Sequence, residues 1–339
     1  MTLTILAIET SCDETAAALY QEGKGALSSE LFSQIDLHKE FGGVVPEIAS
    51  RSHLEKIGPI LQKALTKANK TLDDIDVVAV TTKPGLPGSL LIGLCFAKGI
   101  AWTRNKKLIG VNHLEAHIFS PFLEYDLPFP YVCLAASGGH TSLYLVEDFG
   151  KYTVIAQTLD DAAGEAFDKI AKLVNLGYPG GPIIEKLARQ AEFQDFFSYP
   201  RGSKKRVDFS FSGLKTAVLY DMVKRDAYDL QKKQFLKPDD EKFKMQVASS
   251  LLVAIGDIFD QKLKDTIKKY PHIKAFAFVG GVACNKYLKE KLKNTCSKNN
   301  LEFFAPSPKY CTDNAAMVAF VGYYKAKKNE FNNLHLDIL

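Results

Sequence analysis

LTILAIETSCDETAAALY, residues 3–20, decides how the chain begins to fold. Residues 3–9 form a short apolar run ending in the polar cluster TSCDET, and 15–20 (TAAALY) reads as the return strand of a hairpin with a polar tip open to a ligand. Outward from this hairpin the period changes. Ile48, Leu54, Ile57, Ile60, Leu61, Ala64 and Leu65 recur at helical spacing, which predicts a long amphipathic helix from Pro46 to about Ala68. DVVAVT (76–81) reads as a buried strand, and KPGLPGS (83–89) as a turn feeding a second helix through about Trp102. A strand at 108–111 leads into NHLEAHIFSPFLE (112–124), with Asn112 placed to cap a helix.

Further along, strands are expected at 131–136, 143–146 and about 153–158, the first two joined by SGGHT (137–141). Helices at 163–175 and 181–191 are separated by the turn GYPGG (177–181). The region 198–215 (SYPRGSKKRVDFSFSGLK) reads as a basic loop. Helices at about 240–269 and 285–298 flank a strand at 275–279, and a last helix covers about 313–327. Strands and helices alternate in both halves, so the fold class is α/β. No GxxxxGK[ST] is present, which excludes a P-loop NTPase, and no GxGxxG follows the first strand, which argues against a dinucleotide-binding Rossmann fold.

At 339 residues the chain exceeds what one core usually organises, so two lobes are expected. A net charge of +4 leans towards a polyanionic partner, although so small an excess is equally common in proteins without one. The six cysteines are scattered with no CxxC pair, which reads as reduced thiols in a cytoplasmic setting. MTLTILAIETSCDET lacks a basic n-region and is expected to be a first strand, not a signal peptide. The apolar stretches 88–102 and 247–259 are interrupted by Lys98 and Asp257, too short or too polar to cross a bilayer.

His113 and His117 stand four apart on an expected helix, so both imidazoles project from one face and could chelate one ion; a solvated pair is the competing reading. Glu115 points away from that face, and HLEAH lacks the glutamate directly after the first histidine that a zinc-peptidase helix needs. SGGHT and VGGVACN (279–285) each place glycines at the end of a strand, where backbone N–H groups could nest around an anion; a tight turn, and for Asn285 a helix cap, explain them as well. Asp168 reads as a solvated carboxylate, and Asp313 as a helix N-cap. Arg201, Lys204, Lys205, Arg206 and Lys215 mix with Phe209 and Phe211, a pattern that suits RNA or a solvated loop over core rings.

Together, ETSCDET (9–15), EIASRSH (47–53), PGLPGSLLIG (84–93), GVNHLEAH (110–117), SGGHTSL (137–143), DDAAGEAFDKIAKLV (160–174), YPGGP (178–182), FSFSGLKTAV (209–218), GGVACNKYL (280–288) and TDNAAM (312–317) resemble, in order, the motifs of the TsaD (Gcp) family of tRNA N6-adenosine threonylcarbamoyltransferases. The likeness spans about nine-tenths of the chain. It implies a two-lobed ASKHA fold, as in actin, Hsp70 and sugar kinases, with a nucleotide cleft between lobes. We place those lobes at residues 1–112 plus 314–339 and at 113–313. By resemblance His113, His117 and Asp313 are metal ligands, brought together by lobe closure, and the ion is iron sooner than zinc. Ala135, Ala136, Ser137, Gly138 and Gly139 would contact substrate phosphate or the metal-bound ligand; Asp168, Gly181 and Asn285 would hold the nucleoside, with Glu185 near the ribose.

The same likeness implies transfer of threonylcarbamoyl from threonylcarbamoyl-AMP to the N6 amine of the adenosine beside the anticodon, position 37, in tRNAs reading codons that begin with adenine. It also implies two bacterial partners, the inactive paralogue TsaB and the ATPase TsaE. An ASKHA-type ATPase or kinase and a metallopeptidase are the rival readings. Glu9 stands where sugar kinases usually place aspartate in the first hairpin.

Overall fold

β1 (Thr4–Glu9) is buried at every position, so it must be covered on both faces. It sits at the centre of a five-stranded sheet of order β3-β2-β1-β4-β5. β2 (Glu14–Gln21) and β3 (Gly25–Ser33) continue it as an antiparallel meander, while β4 (Val77–Lys83) and β5 (Lys107–Asn112) run parallel to it on the other side. α1 (Ile35–His38) is a single turn before α2 (Pro46–Lys67), and α3 (Pro87–Thr103) is the crossover between the parallel strands β4 and β5. Alternate residues Leu6, Ile8, Val78 and Val80 meet Ile57, Leu61, Leu65, Leu94 and Ala97 of α2 and α3 on one face of the sheet. α4 (His113–Phe119) follows β5 directly.

The computed structural model describes residues 2–202 and 207–338. A second compact unit begins at Leu127. Its strands β6 (Tyr131–Ala136), β7 (Thr141–Asp148) and β8 (Lys151–Gln157) form an antiparallel meander. The helices α5 (Ala163–Leu173), α6 (Gly180–Gln190) and α7 (Ser212–Lys224) come next, followed by a two-stranded ribbon of β9 (Tyr228–Asp229) and β10 (Gln234–Phe235). α8 (Glu241–Lys269) packs against α6 and leads to β11 (Ala275–Val279), α9 (Lys286–Lys298) and β12 (Glu302–Phe304). The sheet order is β12-β11-β6-β7-β8, with β11 parallel to both β6 and β12. The second sheet therefore repeats the first: a central strand, a meander on one side, two parallel strands on the other.

The chain then returns to the first unit through α10 (Pro308–Cys311) and α11 (Ala315–Lys327). α11 covers the second face of the first sheet, touching β1, β2, β4 and β5. Close approach there depends on Gly322, where a Cβ would lie 2.6 Å from the Cβ of Ala79.

The expected α/β elements form at their expected places, and the structure adds the short α1, α10, β9 and β10 together with β3, β12 and α7. β3 was hidden because GALSSELFS is half-buried without clear alternation, and β12 because an edge strand of three residues carries little pattern. α7 starts inside the stretch read as loop, at Ser212. The units are Met1–Asp126 with Pro306–Leu339, and Leu127–Ala305, so the divisions fall later and earlier than the expected 112/113 and 313/314. The reason is packing: α4 lies against α11 and β5, and Phe122 stacks on Phe320 of α11 at 6.0 Å, which keeps the chain in the first unit through Asp126. No helix among the described residues is long and apolar enough to cross a membrane.

Replacing Gly322 by alanine sets two effects against each other. Helix propensity gains about 1 kcal/mol, whereas overpacking against a β-strand costs about 1–3 kcal/mol. A Cβ contact of 2.6 Å requires backbone movement, so overpacking wins. Gly322→Ala is expected to lower the urea unfolding midpoint, with a net loss of about 1 kcal/mol in the transition of the first unit.

Candidate functional site

α4 starts at a defined residue because the Asn112 side chain accepts hydrogen bonds from the N–H groups of Leu114 and Glu115, at 2.8 and 3.2 Å. His113 and His117 then lie one turn apart on the same face, their rings perpendicular with centroids 4.6 Å apart. Asp313 is not the cap of α11. Asn314 takes that role, its side chain accepting from the Met317 N–H, and this leaves the Asp313 carboxylate to face the histidines. Asp313 Oδ1 is 2.9 Å from His117 Nε2 and 3.4 Å from His113 Nε2. One ligand atom from each of the three residues falls within 4.8 Å of the others. All three belong to the first unit, so the expectation that lobe closure assembles them is corrected: the sheet and α11 do it.

This donor set fits a metal ion. Separations of 2.9 and 3.4 Å are those of ligands about 2.1 Å from a common centre at angles of roughly 90–110°. Two imidazole nitrogens and one carboxylate oxygen suit iron or zinc better than calcium. Charge points the same way. Burial opposes ionisation of Asp313, yet the adjacent His113 and His117 hold its carboxyl well below the usual range. Burial likewise opposes charge on His113, but Asp313 and Glu9 together push it well above the ordinary histidine value. Two carboxylates, Glu9 and Asp313, thus stand within 3.1–3.4 Å of His113, and negative charge so placed attracts a cation.

In the second unit the remaining expected residues are joined in a closed circuit. β6 ends at Ala135 and Ala136, both buried, and Ser137–Gly139 form the turn to β7. The Gly164 N–H of α5 donates to Ser137 O at 3.1 Å, and a Cβ at Gly164 would strike the same oxygen. One turn later Asp168 Oδ1 accepts the Gly180 N–H at 2.7 Å, just before Gly181, so it anchors the start of α6 and is not simply solvated. On α6, Glu185 Oε1 accepts the Lys286 N–H at 2.9 Å, and neighbouring Asn285 caps α9 through the Leu288 N–H at 3.0 Å. Gly280 closes the circuit: its φ is +88° and a Cβ there would lie 2.4 Å from Ala136 O, so only glycine fits. Three helix N-termini, those of α5, α6 and α9, thus border one set of glycine turns, and those of α6 and α9 already hold the carboxylates of Asp168 and Glu185. Gly138 and Gly139 are exposed with open space where a Cβ would be, which leaves the tip accessible.

Of the two readings of the basic aromatic segment, RNA or a solvated loop over core rings, the described residues fit the second. Phe209 and Phe211 are fully buried and pack on Phe259. Arg201 is paired with Asp195 at 2.5 Å and Asp257 at 3.0 Å, and Lys215 with Asp161 at 3.2 Å. Lys204, Lys205 and Arg206 lie outside the described residues. Glu115 pairs with Lys325 at 3.2 Å, so it is not free to serve as a peptidase-type base. Two groups escaped the sequence reading. Glu9 meets His113 and accepts the Thr81 hydroxyl, whereas the sequence offered Glu9 only as the counterpart of a sugar-kinase aspartate at the end of a mostly apolar run. Asp160 receives four hydrogen bonds, from Ser210 Oγ, Ser212 Oγ and the N–H groups of Phe211 and Ser212.

Comparison with known proteins follows these observations. Full-length HypF in a phosphate- and nucleotide-bound form is similar with a TM-score of 0.62 at 15% identity, over 96% of this chain and 56% of that one. That likeness bears on the fold alone, and with the two sheets of one order it places the chain in the two-lobed ASKHA class. The TsaD family model, described as tRNA N6-adenosine threonylcarbamoyltransferase, matches residues 25–320. A protein of that description from Caldicellulosiruptor saccharolyticus is 47% identical over 96% of this chain and 94% of its own length, and one from Brachyspira hyodysenteriae is 47% identical over 98% and 94%. The chain belongs to the TsaD family of tRNA N6-adenosine threonylcarbamoyltransferases. Its activity is threonylcarbamoyl transfer to tRNA, and neither a kinase nor a peptidase reading is favoured.

Asp160 gives a test of local order. Burial pulls its carboxyl up, but the hydroxyls of Ser210 and Ser212 and the two N–H groups bring it down to about 2. A carboxyl depressed on folding stabilises above its ordinary value, and that contribution is lost as pH falls from about 4 through about 2. At neutral pH, Asp160→Asn is expected to speed hydrogen exchange at the Phe211 and Ser212 amides; unchanged exchange would show that the carboxylate does not hold the start of α7.

Proposed function

We propose that the donor is threonylcarbamoyl-AMP made by a separate synthase, and that the acceptor is the N6 amine of adenosine 37 in tRNAs reading codons that begin with adenine. The convergence of His113 Nε2, His117 Nε2 and Asp313 Oδ1 carries this reading, because a mixed anhydride with a phosphate leaving group needs positive charge near that phosphate. In it those three residues hold one divalent ion, iron in preference to zinc. When bound, the ion orients the donor and neutralises charge on the leaving side.

The chain's own residues do the rest. The turn of Ala135, Ala136, Ser137, Gly138 and Gly139 offers backbone N–H groups to phosphate oxygens or to the metal-bound ligand. Asp168, Gly181 and Asn285 hold the nucleoside. Glu185 lies near the ribose, although its Oε1 already serves the Lys286 N–H, which makes its contribution one of placing α9 against α6. The N6 amine adds to the carbamoyl carbon, the bond from that carbon to the phosphate oxygen breaks, AMP leaves with the electron pair, and the amine gives up one proton. TsaB and TsaE are the partners with which we expect the chain to work, in the cytoplasm.

The assay supplies tRNA, labelled threonine, bicarbonate, ATP, the synthase and both partners, followed by digestion to nucleosides. Wild type is expected to form threonylcarbamoyladenosine. His113→Ala and Asp313→Ala are each expected to reduce the rate at least ~100-fold, beyond the range seen when a group that only supports a ligand is removed. Full activity in both variants would remove the ion from the mechanism and leave the transferase activity standing.

A further inference from the structure

Glu9 is the last residue of β1 and its side chain is fully buried. A carboxylate in such a place requires partners on both oxygens. Oε1 accepts the Ser11 N–H at 2.5 Å, and Oε2 accepts the Thr81 hydroxyl at 2.5 Å. The remaining neighbour is His113, with Nδ1 3.1 Å from Oε2. The Ser11 hydroxyl also lies 3.2 Å from that nitrogen. An ionised carboxylate only accepts, so Nδ1 of His113 must carry a proton and donate. When a metal ion displaces the other ring proton, the lone pair is on Nε2, the atom that faces Asp313.

We infer that Glu9 is a positioning residue that fixes the tautomer and ring orientation of His113, so that Nε2 is presented as the ligand atom. The inference rests on the metal reading given under Proposed function and deepens it. His117 makes the contrast: its Nδ1 is buried and has no hydrogen-bond partner among the described residues, so none of their carboxylates orients it there. The two histidines are unequal, one held by a carboxylate from β1 and the other set only by its helix and Asp313.

Glutamine at position 9 tests the point because its shape is conserved and its polarity is not. The Ser11 backbone N–H can only donate, so the amide oxygen must face it. The NH2 group then takes the place of Oε2, where the Thr81 hydroxyl can rotate to accept but His113 Nδ1 can accept only by shedding its proton. The proton moves to Nε2 and blocks the ligand lone pair.

The experiment uses the full chain, stripped of metal and titrated with cobalt(II) in competition with a chelating dye, with the cobalt absorption band recorded. Wild type is expected to bind one cobalt, and His113→Ala to lose it. Glu9→Gln should bind 10–100-fold more weakly with an altered band, while its metal-free unfolding midpoint stays near that of wild type. Glu9→Asp, which restores the carboxylate, should recover part of the affinity. Equal affinity and an unchanged band in Glu9→Gln overturn the assignment of Glu9 and leave the metal site intact. Failure of wild type to bind, or equal binding by His113→Ala, overturns the metal reading itself and this inference with it. Should Glu9→Gln not fold, nitrogen-15 NMR of wild type decides: a protonated Nδ1 on His113 in the cobalt-free and zinc-loaded chain supports the inference, and a protonated Nε2 refutes it.

Discussion

The contact between His117 Nε2 and Asp313 Oδ1 spans 196 residues of sequence and 2.9 Å of space. It exists because the chain leaves the first unit after Asp126, builds a whole second unit, and returns with α11 to cover the open face of the first sheet. That face must be covered: Ile5, Ala7 and Ala79 are wholly buried. Apolar burial thus delivers the carboxylate, and the cap decides its use. Because Asn314 satisfies the first turn of α11, Asp313 is spared for the histidines.

Burying these charges is expensive unless each is partnered. The first unit meets the condition in layers. Glu9 takes the Ser11 N–H, the Thr81 hydroxyl and His113; His113 and His117 meet Asp313; Asn112 fixes where their helix begins. A fault in any one layer leaves an unpaired charge among apolar side chains. The turn after β4 belongs to the same assembly, since the Leu86 N–H donates to Ser11 O at 2.8 Å and Gly85 leaves no room for a Cβ beside that oxygen.

Most of the strands and helices were legible because their signals are local: short apolar runs around a polar tip in β1 and β2, helical spacing in α2, an asparagine before α4. The histidine pair was legible for the same reason, as one turn of one helix. What the sequence hid is non-local. Glu9 and Thr81 are ordinary residues until β1 and β4 lie side by side. Asp168 looks like a solvated carboxylate until it is seen to accept an N–H group at the start of α6, and Glu185 accepts one at the start of α9 that its own sequence surroundings do not signal. Residues 198–215 left two readings open, since mixed charge and aromatic rings look alike whether the rings face solvent or, as Phe209 and Phe211 do, the core. The boundary between units was misplaced because the residues linking α4 to α11 carry no turn signal; Phe122 and Phe320 meet only after the fold has formed.

The two sheets share one order, yet their first hairpins have diverged in chemistry. Between β1 and β2 the tip is Thr10, Ser11, Cys12 and Asp13, mostly buried, with Thr10 donating to Ser89 O and Ser11 engaged with both Glu9 and His113. Between β6 and β7 the tip is Ser137, Gly138, Gly139 and His140, with the glycines exposed and unobstructed. Side chains at a tip can hold a charged histidine–carboxylate group in place, but they fill the space through which a ligand would reach the backbone. Glycines do the reverse. Under the proposed function, which asks for both an ion and a phosphate, one hairpin could not serve both needs, and a duplicated sheet order allows each hairpin to be built for one of them.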